Sequence, residues 1–161
     1  MTWDEIARKL LAGTVASGVV VDRAVVAPGS GFARDCRMFA VHLEQVQTVP
    51  AALDEFARAA QVCAWATQLV FVVTFVADCL PTFDDAGNPP AAAAVTDWST
   101  RFLADAGRVQ AALTNLVDTG DLGPPCDVQL GNGTPTGPLG GVAEIAFPVT
   151  ILLTTPQEQT P

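Results

Sequence analysis

The sequence predicts an α+β domain in which an N-terminal helix and one long helix pack on a mixed or antiparallel sheet of about four to five strands. Segments rich in Val, Phe and Thr, some alternating apolar with polar residues, are typical of strands. One long segment repeats apolar residues every three or four positions, as an amphipathic helix does. The order helix, strands, long helix, strands favours helices on one side of the sheet. Long loops rich in glycine and proline are expected between these elements.

Length and composition indicate a single domain over residues 1–153, followed by a polar C-terminal tail over 154–161. The chain has 161 residues, of which 50% are hydrophobic and only 16% are charged. Two explanations fit the low charge: partners that cover part of the surface, or the Ala-rich composition of a high-GC genome. The net charge of −9, with Lys9 as the only lysine, disfavours sequence-specific binding to nucleic acid.

The N-terminal segment is predicted to be a helix that begins with a capping box. Thr2 is the expected N-cap, and the side chain of Glu5 is expected to reach back to it. Ile6 and Leu10 mark the packed face, and Gly13 marks the expected end. This charged, helical start does not resemble a secretory leader.

Two strands with a loop between them are predicted next. Val19–Val26 is a short apolar run, and Ala27–Phe32 is a Gly/Pro/Ser loop without the pattern of a phosphate-binding loop. Arg37–Val46 alternates clearly, which places His42 and Glu44 on the same face of the strand.

The middle of the chain contains one ambiguous segment and one clear strand. Val49–Pro50 is expected to end the preceding strand, and Thr48–Ala64 fits either a short helix or an extended arm. Leu69–Cys79 is apolar on both faces, which predicts a central strand covered on both sides. The uncharged stretch 61–77 is at the short limit for a membrane span and is interrupted by polar residues, so no membrane span is expected.

An acidic turn leads into the long helix. The sequence FDDAGNPP ends with Asn88 as the expected N-cap and Pro89 at the first helical position. The helix is expected to continue to about Val117 and to span roughly 40 Å. Its apolar stripe consists of Val95, Trp98, Phe102, Ala106, Val109, Leu113 and Leu116.

The C-terminal third is predicted to contain two strands. Asp118–Pro125 is a loop and Cys126–Leu130 a short strand. Gly131–Gly141 is expected to lack regular structure and to form a flexible surface excursion. Val142–Leu153 is the last strand, and Pro148 within it predicts an edge position or a bulge.

The four cysteines are expected to be reduced and mostly buried. Cys36, Cys63, Cys79 and Cys126 show no CxxC spacing and no zinc-ligand spacing with the single histidine, His42. Without a secretory leader, a disulfide framework is not expected.

No catalytic, cofactor-binding or metal-binding constellation is found, so we do not expect an enzyme. His42 beside Glu44 could relay a proton, but with no second histidine and no nucleophile a structural role is favoured. Asp84 and Asp85 could converge on a cation, but a role in the turn is favoured.

The segment CLPTFDDAGNPPAAAAVTDWSTRFLADAGRVQAAL resembles small virion proteins of actinobacterial tailed phages, which are encoded between the capsid and major tail genes. The resemblance rests on the Cys79-Leu80-Pro81 strand end, the DD-x-GNPP turn, the LADA run beginning at Leu103, and the TPTGPLGG sequence that starts at Thr134. It spans roughly Cys36 to Leu153, and its motifs are structural.

The resemblance implies a structural protein of the phage neck, either the tail terminator or a neighbouring head-tail connector, located in the virion after assembly in the host cytoplasm. It implies a homo-oligomeric ring, with a hexamer favoured, that contacts an adjacent connector and the major tail protein. DNA would pass through the ring without sequence-specific binding. Another tail assembly or minor tail protein is the alternative, as is a small-molecule binding module that uses a groove under the long helix.

Overall fold

A computed structural model confirms the α+β class and describes residues 2–50, 65–122, 127–139 and 141–154. Two helices and six strands make up this part of the chain. The N-terminal helix and the long helix are separated by the first three strands, and the last three strands follow. In chain order the elements are α1 (Trp3–Val15), β1 (Arg23–Val26), β2 (Met38–Pro50), β3 (Trp65–Val76), α2 (Ala92–Asp118), β4 (Asp127–Leu130), β5 (Thr134–Leu139) and β6 (Val142–Thr154).

The strands form one mixed sheet in the order β1-β2-β3-β6-β4, and β5 pairs with β6 beside β4. Strands β1 and β2 are parallel, and every other pair is antiparallel. Strands β2 and β3 are the longest pair. Their pairing extends from Met38 opposite Val76 to Pro50 opposite Trp65, with a bulge between Leu43 and Gln45. Strand β3 therefore lies at the centre of the sheet, as expected from its apolar sequence.

Both helices pack on one face of this sheet and form the main core. Trp98, Val109 and Leu113 of α2 are buried against alternate residues of β3, among them Phe71 and Val73. The capping box of α1 forms as expected: Thr2 accepts from the Glu5 backbone N–H, and Glu5 accepts from the Thr2 N–H. The predicted apolar faces of both helices are thus confirmed, although α2 leaves Val95 39% exposed.

Helix α1 continues two residues past Gly13, where the sequence predicted its end. A Cβ atom on Gly13 would come within 2.7 Å of Leu116 Cδ2, so glycine allows α1 and α2 to approach closely here. The residue therefore serves helix packing and does not terminate the helix.

The opposite face of β3 carries no helix in the described residues, and the cover expected on that side is seen there only at one end of the strand. Its end near β1 is covered by the segment that connects the parallel strands β1 and β2. Phe32 of that segment packs on a small cluster of Met38, Ala40 and Val76. Beyond this cluster, Val70 and Val72 are only half-buried.

Helix α2 begins at Ala92, three residues later than predicted, and Asn88 is not its N-cap. The N-cap is Ala91, which supplies no side-chain hydrogen bond. The reason lies in the two prolines: a residue before proline is disfavoured in the helical conformation, and this applies to both Asn88 and Pro89. The Asn88 side chain instead donates to Asp84 Oδ2 at 2.9 Å.

Strand β2 continues past Val46, and its last residue is Pro50, so it ends at the expected Val49–Pro50 break. The Gly131–Gly141 segment, predicted to lack regular structure, contains β5, so that prediction is wrong. A Cβ atom on Gly133 would come within 2.5 Å of Phe147, so this glycine permits close packing on β6.

Strand β6 lies inside the sheet, between β3 and the pair β4 and β5, and Pro148 occupies neither an edge nor a registered bulge. The carbonyl oxygen of Pro148 accepts a hydrogen bond from the Gly131 backbone N–H at 2.7 Å. The N–H that proline lacks would point to the same side, where β4 has ended and β5 has not begun. The interior strand therefore tolerates proline because its neighbour is interrupted there.

Cys36 and Cys79 form a disulfide, so the expectation of four reduced thiols is wrong for this pair. Their Cα atoms lie 5.2 Å apart and 43 residues separate them in sequence. Because β2 and β3 pair along their length, Cys36, two residues before β2, meets Cys79, three residues after β3. Cys63 and Cys126, the alternative structures for Thr48–Ala64 beyond Pro50, and the tail from 155 onward lie outside the described residues.

Candidate functional site

Two exposed surfaces without charge lie on opposite sides of the molecule. The first, which we call the open sheet face, is the half-buried part of the sheet that faces away from the helices. Strand register places its members on one side of β2, β3, β6 and β4. Its residues are Gln45, Gln47, Gln68, Val70, Val72, Gln129, Pro148, Thr150 and Leu152.

Charged side chains stand only at the borders of the open sheet face, as far as the structure describes it. Glu44 lies at the bulge of β2, whose edge is unpaired there, and Asp127 begins the edge strand β4. The centre presents valine, proline and leucine side chains among glutamine and threonine. Such a surface can be covered by another protein without desolvating a charge.

The second surface, the outer helix face, is the side of α2 that points away from the core. At 100° per residue its members fall on one side of the helix, and all of them are exposed. Leu103 stands near its middle with 70% of its surface exposed. The charged residues of α2 before its last turn lie on a neighbouring strip. The outer helix face consists of Thr96, Thr100, Leu103, Ala104, Gly107, Gln110, Ala111 and Thr114.

A charged corner beside the disulfide joins three parts of the fold. Arg37 has φ of 56°, a left-handed conformation that is costly for a residue with a Cβ atom. Its guanidinium donates to Asp22 at 2.7 and 2.9 Å and lies 3.4 Å from Asp78. The hydrogen bonds to Asp22 raise the Arg37 pKa above its ordinary value. The backbone oxygen of Asp78 accepts from the Trp98 indole N–H at 3.0 Å, which links the corner to α2.

The space beneath the N-terminal half of α2 is small. A cavity of about 30 Å³ lies beside Trp98, Phe102 and Phe75, with Arg37 and Asp78 at its rim. It offers room for water and falls far below the 300–1,000 Å³ of typical small-ligand pockets. A groove of about 530 Å³ lined by Pro81, Ala94, Asp97, Thr100 and Arg101 lies on the outside of the helix, open to solvent.

His42 and Glu44 are brought together as their spacing indicated. His42 is 3% exposed, and its Nε2 atom lies 2.9 Å from Glu44 Oε2. Its ring packs near that of Phe32, with centroids 5.8 Å apart, and Nδ1 is buried without a hydrogen-bond partner in the structure. These contacts place His42 between β2 and Phe32, which belongs to the segment that connects β1 and β2.

Asp84 organises the acidic turn, and Asp85 does not share its site. Asp84 Oδ1 accepts from the backbone N–H groups of Ala86 and Asn88 at 2.9 and 2.8 Å. The side-chain and backbone hydrogen bonds from Asn88 hold the Asp84 pKa below its ordinary value. These contacts support a structural role for Asp84 in the turn, which is the role that the sequence favoured.

Four acids in exposed turns and at a helix end, Asp84, Asp85, Asp118 and Asp121, fall into two separate groups. Asp84 and Asp85 precede α2, whereas Asp118 ends it and Asp121 follows in the next turn. A helix of 27 residues places the groups roughly 40 Å apart. Three arginines, Arg23, Arg34 and Arg37, each form an ion pair with other acids of the described chain.

No sequence pattern indicated the charged corner or the packing of Arg34. Arg34 lies 4.3 Å from the centroid of the Phe32 ring and bonds Glu144 at 2.8 Å, which fixes the covering segment to β6. Within the described ranges, no three His, Cys, Asp or Glu side chains gather as metal ligands. No helix in those ranges combines the length and the apolar character that crossing a bilayer requires.

Comparison with known proteins leaves the family open. No protein-family model matches the chain, and no curated protein matches its sequence.

Proposed function

We propose that this protein is a structural subunit of a ring at the neck of a tailed-phage virion, either the tail terminator or a neighbouring head-tail connector. The observation that carries the proposal is the pair of uncharged exposed surfaces, the open sheet face and the outer helix face, on a chain with net charge −9. Subunits of like charge can pack together closely where their contact surfaces carry no charge. The resemblance of the DD-x-GNPP turn and its neighbours to phage neck proteins points the same way.

The disulfide is compatible with this role. Disulfides persist in oxidising surroundings, and the surface of a released virion is one of these. A bond between Cys36 and Cys79 could close after assembly in the reducing host cytoplasm, because both cysteines lie at the surface or half-buried. It would then stiffen the end of the sheet in the mature particle.

Mass in solution tests the proposal most directly. A hexamer has a mass of about 100 kDa, six times the chain mass of 16.7 kDa. Light scattering at several concentrations should give this mass, and electron-microscope class averages should show a six-fold ring. A monomer or dimer at every concentration would contradict the ring and favour a binding module.

Two other functions remain as alternatives with different expectations. Another tail assembly or minor tail protein would share the virion location but would not form a ring at the neck, which immunogold labelling of purified particles can distinguish. A small-molecule binding module is less favoured because the cavity under α2 measures only about 30 Å³ and the larger groove of about 530 Å³ is open to solvent.

An acidic channel is a further part of the proposal. Six copies carry a charge of −54, six times −9, and acids that line the channel would repel the DNA backbone so that the genome slides. Because the two acidic groups lie at opposite ends of α2, both can face one channel only if α2 runs along its axis. A map of the ring with acids on the outer wall would contradict the acidic channel and leave the ring intact.

A further inference from the structure

We propose that the outer helix face of one copy packs on the open sheet face of the next copy, so that the ring is built from one repeated head-to-tail contact. This inference rests on the proposed ring and names the surfaces that form it. Each copy carries both surfaces, and they face opposite sides of the molecule. The occupant of the open sheet face is therefore a second copy of this chain.

Charge is the first argument for this occupant. A chain with net charge −9 repels its own copies at most orientations. The centres of both surfaces carry no charge in the described residues, so covering them buries no ion. Their margins are complementary in part: Glu44 and Asp127 border the sheet face, while Arg101 and Arg108 flank the helix face together with one acid, Asp97. Arg101 forms no ion pair within the described chain, which leaves its guanidinium available to an acid of a neighbour.

Shape is the second argument. Four neighbouring strands present a patch roughly 15–20 Å wide at ~4.8 Å per strand. The outer helix face extends for about 27 Å from Thr96 to Thr114 at ~1.5 Å per residue, enough to cross that patch. Small side chains such as Ala104 and Gly107 allow a close approach to the strands, and the exposed Leu103 supplies an apolar group at the centre.

The contact has a consequence that separates it from other ways of forming an oligomer. In a head-to-tail contact, two different patches meet, so blocking either patch stops the growth of the ring. In a two-fold contact, one patch meets its own copy. A copy that is blocked on one patch can still use the other patch in the head-to-tail case.

The experiment uses two full-length variants, each blocked on one surface. Leu103→Glu places a charge on the outer helix face, at a side chain that is 70% exposed. The double variant Gln45→Glu/Gln68→Glu places two charges on the open sheet face with almost no change in side-chain shape. Val20→Glu, at a side chain that is 78% exposed and outside both surfaces, is the matched control. Circular dichroism confirms that each variant is folded.

We expect each blocked variant to lose the ring and to give the 16.7 kDa monomer by light scattering, and the control to keep the wild-type mass. Mixed in equal amounts, the two blocked variants should form a 1:1 dimer of about 33 kDa, twice the chain mass, and nothing larger. The intact sheet face of the Leu103→Glu chain binds the intact helix face of the other chain, and the blocked surfaces end the assembly.

Three results would overturn the inference, and they differ in what they leave standing. If both blocked variants keep the wild-type oligomer, the surfaces are not its contacts, but the proposed ring stands. If the variants are monomers alone and also when mixed, helix and sheet faces do not bind each other. If wild-type protein is a monomer at every concentration, the proposed ring fails together with the contact.

Discussion

The two faces of the sheet are made by alternate residues of the same strands, yet they differ in their surroundings. On the helix side of β3, Leu69, Phe71 and Val73 are 0–2% exposed. On the other side, their immediate neighbours Val70 and Val72 are half-buried. An apolar strand sequence thus supplies the core on one side and an exposed, uncharged surface on the other. Hydrophobicity alone does not distinguish a residue that stabilises the fold from one that is available to a partner.

The variant with the largest expected effect tests whether α2 is held on the sheet only by the side that faces the core. Trp98→Ala should lower the free energy of unfolding by about 3–5 kcal/mol, because it removes a buried ring and leaves a cavity. It also removes the indole hydrogen bond to Asp78 and the stacking on Phe102. Urea titration of the monomer measures the loss.

Leu103→Ala, on the opposite side of the same helix, is the matched control and should change stability by less than about 0.5 kcal/mol. A similar loss for both variants would mean that the outer helix face is part of the core, which would remove it as a contact surface.

The disulfide should have the next largest effect, at the end of the sheet where both faces are covered. Replacing Cys36 and Cys79 by serine should lower the free energy of unfolding by about 2–4 kcal/mol, because the open chain gains entropy when unfolded. Reductant should destabilise wild-type protein by a similar amount and leave the double variant unchanged. Identical stability of wild-type protein with and without reductant would show that the bond is not formed in solution.

A matched pair of valines compares the two faces directly. Val73→Ala removes two buried carbon atoms and should lower the free energy of unfolding by about 2 kcal/mol. Val72→Ala, the preceding residue on the open sheet face, should lower it by less than about 1 kcal/mol in the monomer. If the ring forms through this face, Val72→Ala should weaken the oligomer more than it weakens the fold. Equal losses in the monomer would show that the open face is covered.

Local patterns predicted most of the elements, because capping and hydrophobic period act within a few residues. The capping box at Thr2 and the alternation of β2 are examples. The predictions that were wrong concern residues whose contacts lie far away in the sequence. Cys36 meets Cys79 only once β2 and β3 have paired, and Pro148 is tolerated only because β4 and β5 are interrupted beside it. No single-strand pattern carries that information.

The prediction for the glycine-rich segment Gly131–Gly141 was wrong for a related reason. The sequence predicts a flexible segment around Gly133, but the lack of a Cβ atom at this residue allows close contact with Phe147. The open sheet face could not be predicted either, since β3 is apolar on both sides and the sequence does not say how many helices cover it. The charged corner at Arg37 had no signal, because its left-handed backbone and its two carboxylate neighbours arise from the fold.

The smallest expected effect lies in the turn that leads into α2, the helix that covers the core face. Asp84 accepts hydrogen bonds from Ala86 and Asn88, and its pKa is lowered, so the ionised carboxylate stabilises the folded turn. A lowered folded pKa gives stability that is fully present above the unfolded value and is lost as pH falls through the folded value. The loss therefore belongs below the ordinary pKa of 3.8.

We expect Asp84→Asn to lower the melting temperature slightly at pH 6 and to have less effect at pH 3, which lies below the ordinary pKa of 3.8, where this stabilisation is being lost. Asp85→Asn is the matched control, because the Asp85 carboxylate makes no hydrogen bond within the described chain, and its effect should be near zero at both values. Melting curves of the three proteins at the two pH values measure this. An Asp84→Asn effect that is equally large at pH 3 would mean that the turn depends on the side chain's shape and not on its charge. In that case the ionisation of Asp84 would not contribute to the stability of the turn that leads into α2.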